Sequence, residues 1–490
     1  MATKNNWQKA AEENQIKEGV PFGAQIGARA VFLTQSEGRI YAMDGKCSHY
    51  GGPLEKGRLM EHIVTCPWHA ARFDVRSGEV KAPPALDDLA RYETKVEAGE
   101  VYVRKVPAEE LSIPTGTDER TFLILGSGAG GLNAALSLRK IGFAGRVLLV
   151  TAESDLPYDR PDLSKGFMAG DTKRDELSLK PEGVYRRLGI EILREYRATG
   201  VDTIKKTVTF SNRRRLRYDK LLLATGGTPR VPEIKGTRLP GFFVLRSFRD
   251  ALAITSSLSR AKTAAVLGAS FLGLEVASSL RTRGLDVHVI APETVLMARV
   301  FGPRIGEFLK RRHQKNGVVF HLGRTAAEIL GAKKVSGLLV NGAVLVNAGF
   351  QTRDPDIFAV GDIALLPDPV TGEARRVEHW VEAERQGQHA ALGMTGIEEP
   401  YRETPFFWTN QAGVSIKYAG YTSSFDRVVY RGDLEEEKAL AGYYREGALR
   451  AVASLGRTKE FLAAMEIIKA GSGVPQSRFK DLRFDFAKAS

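Results

Sequence analysis

Thr121-Phe122-Leu123-Ile124-Leu125-Gly126-Ser127-Gly128-Ala129-Gly130-Gly131 decides the fold. The apolar run reads as a buried strand, and G-x-G-x-x-G follows it at once, opening a helical segment that lasts to Lys140. Gly126 permits the tight turn, Gly128 lets the backbone approach a pyrophosphate, and Gly131 allows close helix–strand packing. The helix N-terminus offers free N–H groups and a positive dipole end to phosphate. A second strand, Val147-Leu148-Leu149-Val150, ends three residues before Glu153, a carboxylate that can accept from ribose hydroxyls. A lone glycine motif is weak; strand, turn, helix, strand and acid together specify a dinucleotide-binding unit.

The unit recurs. Thr263-Ala264-Ala265-Val266-Leu267 leads to Gly268-Ala269-Ser270-Phe271-Leu272-Gly273, a helix to about Arg281 and a strand Val287-His288-Val289-Ile290. Gly142 and Gly284 each lie sixteen residues after the first motif glycine. Glu293, like Glu153, is the third residue after its strand and is placed to accept from a 2′-hydroxyl, which favours NADH over NADPH. Two units imply two dinucleotides. Ser270 replaces the middle glycine, so the other reading of the repeat is a degenerate unit that packs without binding.

N-terminal to these units, residues 1–106 read as a β-rich module. Val31-Phe32-Leu33 and Ile40-Tyr41-Ala42-Met43 are short strands around a hairpin whose turn includes Gly38. This module contains Cys47-Ser48-His49 and Cys66-Pro67-Trp68-His69, which use the only two cysteines of the chain. Two Cys-His pairs at this spacing suit a Rieske-type [2Fe–2S] centre, with Cys47 and Cys66 on one iron and His49 and His69 on the other. The alternatives are a disulfide, which explains neither histidine, and a Cys2His2 zinc site, which usually pairs Cys with Cys and His with His. With both cysteines committed there is no Cys-x-x-x-x-Cys redox pair, which excludes disulfide-reductase chemistry.

Composition sets further bounds. The 490 residues predict several domains, and 43% hydrophobic content suffices for large cores. No apolar run long enough to span a membrane occurs, and the first thirty residues carry no signal-type apolar core, so a cytoplasmic location is expected. The net charge of +13 invites a nucleic-acid reading, but basic runs such as Arg213-Arg214-Arg215-Leu216-Arg217 are short and scattered. They read as solvated turns or helix faces, and no nucleic-acid partner is expected. The charge instead suits an acidic redox partner or anionic dinucleotides.

Two sets of stretches carry a family resemblance. Cys-Ser-His-Tyr-Gly-Gly-Pro-Leu (47–54) and Cys-Pro-Trp-His-Ala-Ala-Arg-Phe-Asp (66–74) resemble Rieske ferredoxins, with Ala70 where that family normally has Gly. Pro157-Tyr158-Asp159-Arg160-Pro161-Asp162-Leu163-Ser164-Lys165, Ala224-Thr225-Gly226-Gly227-Thr228-Pro229-Arg230 and Phe358-Ala359-Val360-Gly361-Asp362 resemble flavoprotein oxidoreductases of the ferredoxin-reductase and apoptosis-inducing-factor type. So do Glu378-His379-Trp380, Gln386-Gly387 and Pro405-Phe406-Phe407-Trp408. The whole is most similar to Rieske-containing apoptosis-inducing-factor-like proteins.

That resemblance implies a multidomain fold: a β-rich Rieske domain, two Rossmann-like α/β nucleotide-binding domains and a C-terminal α+β interface domain. The expected boundaries are a Rieske domain at 1–106, a linker at 107–120, an FAD-binding domain at 121–245 and 345–400, an NAD(P)-binding domain at 246–344, and a C-terminal domain at 401–490. Gly361 and Asp362 would close over the FAD pyrophosphate and ribityl. Arg160 and Lys165 would lie beside the flavin, with Lys165 near N5. Glu275 would face the nicotinamide and pair with Lys165, and His379, Trp380 and Trp408 would wall the isoalloxazine. The implied cofactors are FAD, the [2Fe–2S] cluster and NAD(P)H, with NADH the expected donor. The implied activity is an electron relay, in which NAD(P)H gives a hydride to FAD and the cluster takes electrons singly for a protein acceptor. The rivals are an NAD(P)H oxidase acting on oxygen or quinone and a redox-sensing interaction protein. A monomer or a homodimer is expected.

The chain departs from this pattern in two ways. Between Glu328 and Thr352 it lacks a strand and a Gly-rich turn that relatives carry, so either the second nucleotide domain is shortened, which would put hydride uptake from a nicotinamide in doubt, or part of that domain is absent from the sequence. The usual acidic position of that domain holds Ala291.

Overall fold

The computed structural model describes residues 7–106, 113–326, 329, 344–368 and 374–488. The chain divides into two compact units, Met1–Leu111 with Arg457–Ser490, and Ser112–Gly456.

The first unit is built on antiparallel hairpins. Its larger sheet orders Gln8–Glu12, Glu100–Lys105, Arg91–Glu97, Arg39–Asp44, Arg29–Ser36 and Phe22–Ile26. Ser36 pairs with Arg39 across the two-residue turn Glu37-Gly38, whose φ values of 52° and 73° supply the twist that tight hairpins need. The expected hairpin therefore forms, with Val31, Phe32 and Leu33 buried. A second sheet of short strands, Arg58–Met60, Ile63–Thr65, Arg72–Asp74 and Val80–Ala82, follows in chain order.

Helix Thr458–Lys469 completes this unit. It buries Phe461, Leu462, Met465 and Ile467, and its Glu466 lies 3.1 Å from Arg72 of the second sheet. By its contacts, the segment 401–490 falls in both compact units, with the division at Gly456. The reason is tertiary: an amphipathic helix goes wherever its apolar face is buried.

The second unit contains both nucleotide folds. A five-stranded parallel sheet orders Ile190–Leu193, Arg146–Val150, Thr121–Leu125, Lys220–Leu223 and Ile357–Ala359. Phe122 to Leu125 and Val147 to Val150 are at most 4% exposed, as expected of strands covered on both faces. The second nucleotide fold has three parallel strands among the described residues, Thr263–Leu267, Asp286–Ala291 and Val318–Leu322. The shortened stretch itself, at 327–328 and 330–343, lies outside the described residues, as do linker residues 107–112.

The repeat holds at the level of backbone conformation. Gly126 and Gly268 have φ of 108° and 107°, and the nitrogens of both donate to the end of the neighbouring strand, at Val150 O and Ile290 O. Gly142 and Gly284 end the two helices with positive φ. Ser270 caps helix Phe271–Thr282 at φ −78° and ψ 178°, close to Gly128 at −73° and −165°, so the serine enters the second turn without backbone strain. The strand before Glu293 runs to Ala291, one residue further than its apolar pattern, which makes Glu293 the second residue past it.

Behind the first glycine turn, helices Ala129–Lys140 and Trp380–Thr395 pack at close range. A Cβ on Gly130 would lie 3.0 Å from Ala383 O, and one on Gly387 would overlap the Gly130 backbone. The unit ends in a five-stranded antiparallel sheet ordered Phe406–Gln411, Val414–Gly420, Ala448–Leu455, Lys438–Arg445 and Arg427–Asp433.

Candidate functional site

In the first unit, two loops bring the four expected metal ligands together. Cys47 N donates to Gly52 O at 2.9 Å and Gly51 N to Cys47 O at 2.9 Å, which curls the first loop around its cysteine. Cys66 N to Ala71 O at 2.7 Å and Ala70 N to Cys66 O at 3.2 Å curl the second in the same way. Gly52 joins the two loops, because a Cβ there would sit 2.8 Å from Cys66 Sγ and 3.1 Å from Trp68 Cγ. The sequence reading quoted Gly52 without giving it a role.

The donor set fits a dinuclear cluster. Both cysteines are buried and unbridged, and the Cys66 sulfur beside it, together with burial, pushes the Cys47 thiol up. A buried thiol that resists ionisation becomes a ligand when a cation replaces its proton. The His49 and His69 Nδ1 atoms lie 3.0 Å apart, the separation of two nitrogens on one ion at bond lengths of about 2.1 Å. Burial pushes His49 down to about 4, which keeps the imidazole neutral, as a ligand must be. Two thiols and two imidazoles make two ligand pairs, the number a Rieske centre divides between its two irons.

Two predictions arise from this loop pair. Ala70, in the position of the usual glycine, has φ of 58°, a left-handed conformation that penalises any Cβ. Ala70→Gly is expected to stabilise the unit by about 0.5 kcal/mol, the strain relieved less the extra freedom glycine has when unfolded. A lower thermal midpoint for that variant contradicts the strain argument. Ala71 and Phe73 are both 0% exposed in the apolar cluster that also contains Cys47 and Cys66, and neither carries a hydroxyl. With fewer hydrogen bonds to stabilise the reduced centre, the midpoint is expected low in the Rieske range, on the order of −150 mV. Ala71→Ser with Phe73→Tyr should raise it, and a parent midpoint above zero by voltammetry would contradict the expectation.

The second unit encloses a cavity of about 810 Å³. Its walls include Gly126, Gly128, Glu153, Arg160, Lys165, Glu275, Gly361, Asp362, His379, Trp380 and Trp408, gathered from segments far apart in sequence. Gly128 faces open space, with nothing within 4 Å of where a Cβ would be. Gly131 does not line the cavity: a Cβ there would overlap Gly126 O, so its task is packing. Gly268, Ser270, Gly273 and Glu293 also lie off this cavity. They belong to the second glycine turn and the loop after Asp286–Ala291, where Glu293 is exposed and Ala291 is buried.

Several side chains are engaged differently from the simple expectation. Glu153 accepts from Tyr158 Oη at 2.7 Å and pairs with Arg160 at 3.0 Å, so Arg160 is anchored to Glu153. Asp362 pairs with Arg246 at 2.8 Å, a partner the sequence did not single out. His379 stacks on Phe407 with centroids 4.3 Å apart, and burial pushes it down to about 4. Lys165 Nζ lies 2.9 Å from Glu275 Oε2, and Ser164 Oγ donates to that same oxygen at 2.8 Å. Thr409 Oγ1 donates to the other oxygen, Oε1, at 2.7 Å. Ser164 and Thr409 were missed, although each adjoins a residue that had been named, Lys165 and Trp408.

The arrangement suits FAD: a glycine turn open at Gly128, acids at Glu153 and Asp362 for sugar hydroxyls, and an ion pair at the wall. Comparison with known proteins agrees with the fold and the chemistry. Residues 6–93 match the Rieske [2Fe-2S] domain, residues 120–341 the pyridine nucleotide-disulphide oxidoreductase family and residues 406–490 the reductase C-terminal family. The chain is 34% identical to apoptosis-inducing factor 3 of Homo sapiens over 95% of its own length and 84% of that protein. It is 30% identical to rhodocoxin reductase of Rhodococcus erythropolis over 75% of this chain and 94% of that one. A ferredoxin reductase from Rhodopseudomonas palustris superposes with a TM-score of 0.72 at 30% identity, covering 76% of this chain and 100% of the other. Putidaredoxin reductase, in its covalent complex with putidaredoxin, gives 0.71 at 26% identity with 76% and 100% covered. The alignment with the human relative runs over 514 positions while using 95% of this chain, so that relative carries residues this chain lacks.

Proposed function

Because the chain belongs to the Rieske-containing apoptosis-inducing-factor family, an FAD-dependent oxidoreductase family of ferredoxin-reductase type, we propose that it passes electrons from NADH through FAD to its own Rieske cluster and on to a one-electron protein acceptor. The observation that carries this reading is the cysteine inventory. Both cysteines lie at the cluster, so the chain has no thiol pair to take electrons from a flavin, and the cluster is the redox centre it provides instead.

When bound, the flavin supplies the conversion of a hydride into single electrons and the cluster carries them one at a time. The chain's own residues then have defined tasks. Gly126 and Gly128 admit the pyrophosphate, and Glu153 and Asp362 accept from sugar hydroxyls. His379, Trp380 and Trp408 form apolar and aromatic walls that exclude water. Lys165 brings a positive charge to the cavity wall, where negative charge develops on reduction, and Glu275 pairs with it when nicotinamide is absent. Gly268, Ser270 and Gly273 form the second turn for the nicotinamide dinucleotide, with Glu293 beside its ribose. The acceptor is a one-electron redox protein; the ferredoxin reductases among the chain's relatives favour one of the ferredoxin kind, met in the cytoplasm by a monomer or homodimer. Among the described residues no helix is long and apolar enough to cross a membrane.

Anaerobic titration with NADH, following flavin bleaching and the cluster's EPR signal together, tests the route. The cluster signal is expected to appear as the flavin bleaches, at a rate independent of protein concentration. A flavin that reduces fully while the cluster stays oxidised would refute transfer in cis. The same titration with NADPH tests the donor: equal or faster reduction by NADPH removes the role of Glu293.

A further inference from the structure

Glu275 is 7% exposed, yet it is the end point of a hydrogen-bonded chain that runs from the cavity into the interior. Thr409 Oγ1 donates to Glu275 Oε1 at 2.7 Å, and Gln411 Nε2 donates to Thr409 Oγ1 at 2.6 Å. Gln411 Nε2 also reaches Phe271 O at 3.2 Å, which fixes its amide and leaves Oε1 as an acceptor for His313 Nε2, 3.2 Å away. His313 and Gln411 are both 0% exposed and Thr409 is 1% exposed. Burial pushes His313 down to about 4, so its ring is neutral, and the bond to Gln411 places the single proton on Nε2.

Every donor in this chain therefore points the same way, from His313 through Gln411 and Thr409 to the carboxylate. Such chains polarise cooperatively and tolerate no missing member, because each lost donor leaves a buried acceptor unpaired. The second carboxylate oxygen is held by Ser164 Oγ and by Lys165. Lys165 is the most exposed partner of Glu275: its side chain is 22% exposed on the cavity wall, and its Nζ also donates to Pro161 O at 3.0 Å. Glu275 thus keeps a donor on each oxygen even when the lysine turns away.

We propose that Thr409, Gln411 and His313 are positioning residues that hold Glu275 in place while Lys165 moves between the carboxylate and the bound flavin. This rests on the reading of Lys165 and Glu275 as the flavin-side pair. Without the chain, a buried carboxylate that loses its lysine would follow it or take up water, and the lysine's charge would be withheld from the flavin. The contrast between Thr409→Val, which keeps the shape and removes the donor, and Thr409→Ser, which keeps the donor, separates hydrogen bonding from packing.

The test measures the flavin midpoint potential by spectroelectrochemistry, the rate of anaerobic flavin reduction and the thermal midpoint, with Lys165→Met alongside. Thr409→Val is expected to slow reduction about tenfold and shift the flavin potential, and Thr409→Ser to restore both. Gln411→Met, one bond further out, should give the same change to a smaller degree, and serves if Thr409→Val does not fold. Parent-like potential and rate in Thr409→Val or Gln411→Met, or equal defects in the serine and valine variants, overturn the proposal. If Lys165→Met itself reduces at the parent rate, the pair reading fails and takes this one with it. A slow Lys165→Met beside a parent-like Thr409→Val refutes the positioning chain alone.

Discussion

His69→Ala is expected to abolish the cluster completely while the protein still binds FAD. On the proposed reading the two loops would hold a cluster with two thiolates and two imidazoles, so removing one imidazole would leave the second iron with His49 alone. Losing a residue that merely orients a ligand costs 10–100-fold in metal affinity, so losing the ligand itself should leave the site empty at any attainable concentration. The four ligands lie in the first unit and every residue lining the large cavity lies in the second, so loss of iron gives no reason for loss of flavin. Iron and sulfide analysis beside the flavin absorbance checks both halves. One zinc and no sulfide in the parent protein would sink the cluster assignment, and joint loss of iron and FAD in the variant would sink the independence of the two sites.

What the sequence disclosed about these sites follows from how each part is specified. The glycine turns were legible because their constraints are local: Gly126 needs its positive φ and Gly131 cannot carry a Cβ, whatever surrounds them. The Cys-His loops were legible for the same reason, since each pair spans only three or four residues. Long-range placements were not. Nothing in Thr458–Lys469 states which apolar surface its buried face will meet, and only the fold brings Glu466 to Arg72. Thr409 and Ser164 carry no motif, because a hydroxyl's role is set by the direction of its bond, and Glu275 is 134 residues from Thr409 and 111 from Ser164. Arg246 escaped notice likewise, as an arginine in a loop with no pattern around it until Asp362 comes within 2.8 Å.

Lys165→Met should slow flavin reduction by about 100-fold and lower the flavin potential. An ammonium brought to where negative charge develops is worth roughly 3 kcal/mol to the step, in line with the loss of one electrostatic partner of the transition state. The effect on folding should be smaller, because the lysine is on the wall of an open cavity and Glu275 keeps its two hydroxyl donors when the lysine is gone. Glu275→Gln should weaken the pair and slow reduction less, about tenfold, without emptying the FAD site. The competing account is that Glu275 only complements a helix dipole, worth at most about 1 kcal/mol of stability. Its position argues against that account: Glu275 is the fifth residue of helix Phe271–Thr282, past the first turn where the dipole acts. Its side chain turns inward to Ser164, Thr409 and Lys165 instead of outward to water. Stopped-flow reduction by NADH decides the matter, since parent rates in both variants would leave the pair no part in the chemistry and assign Glu275 to the fold alone.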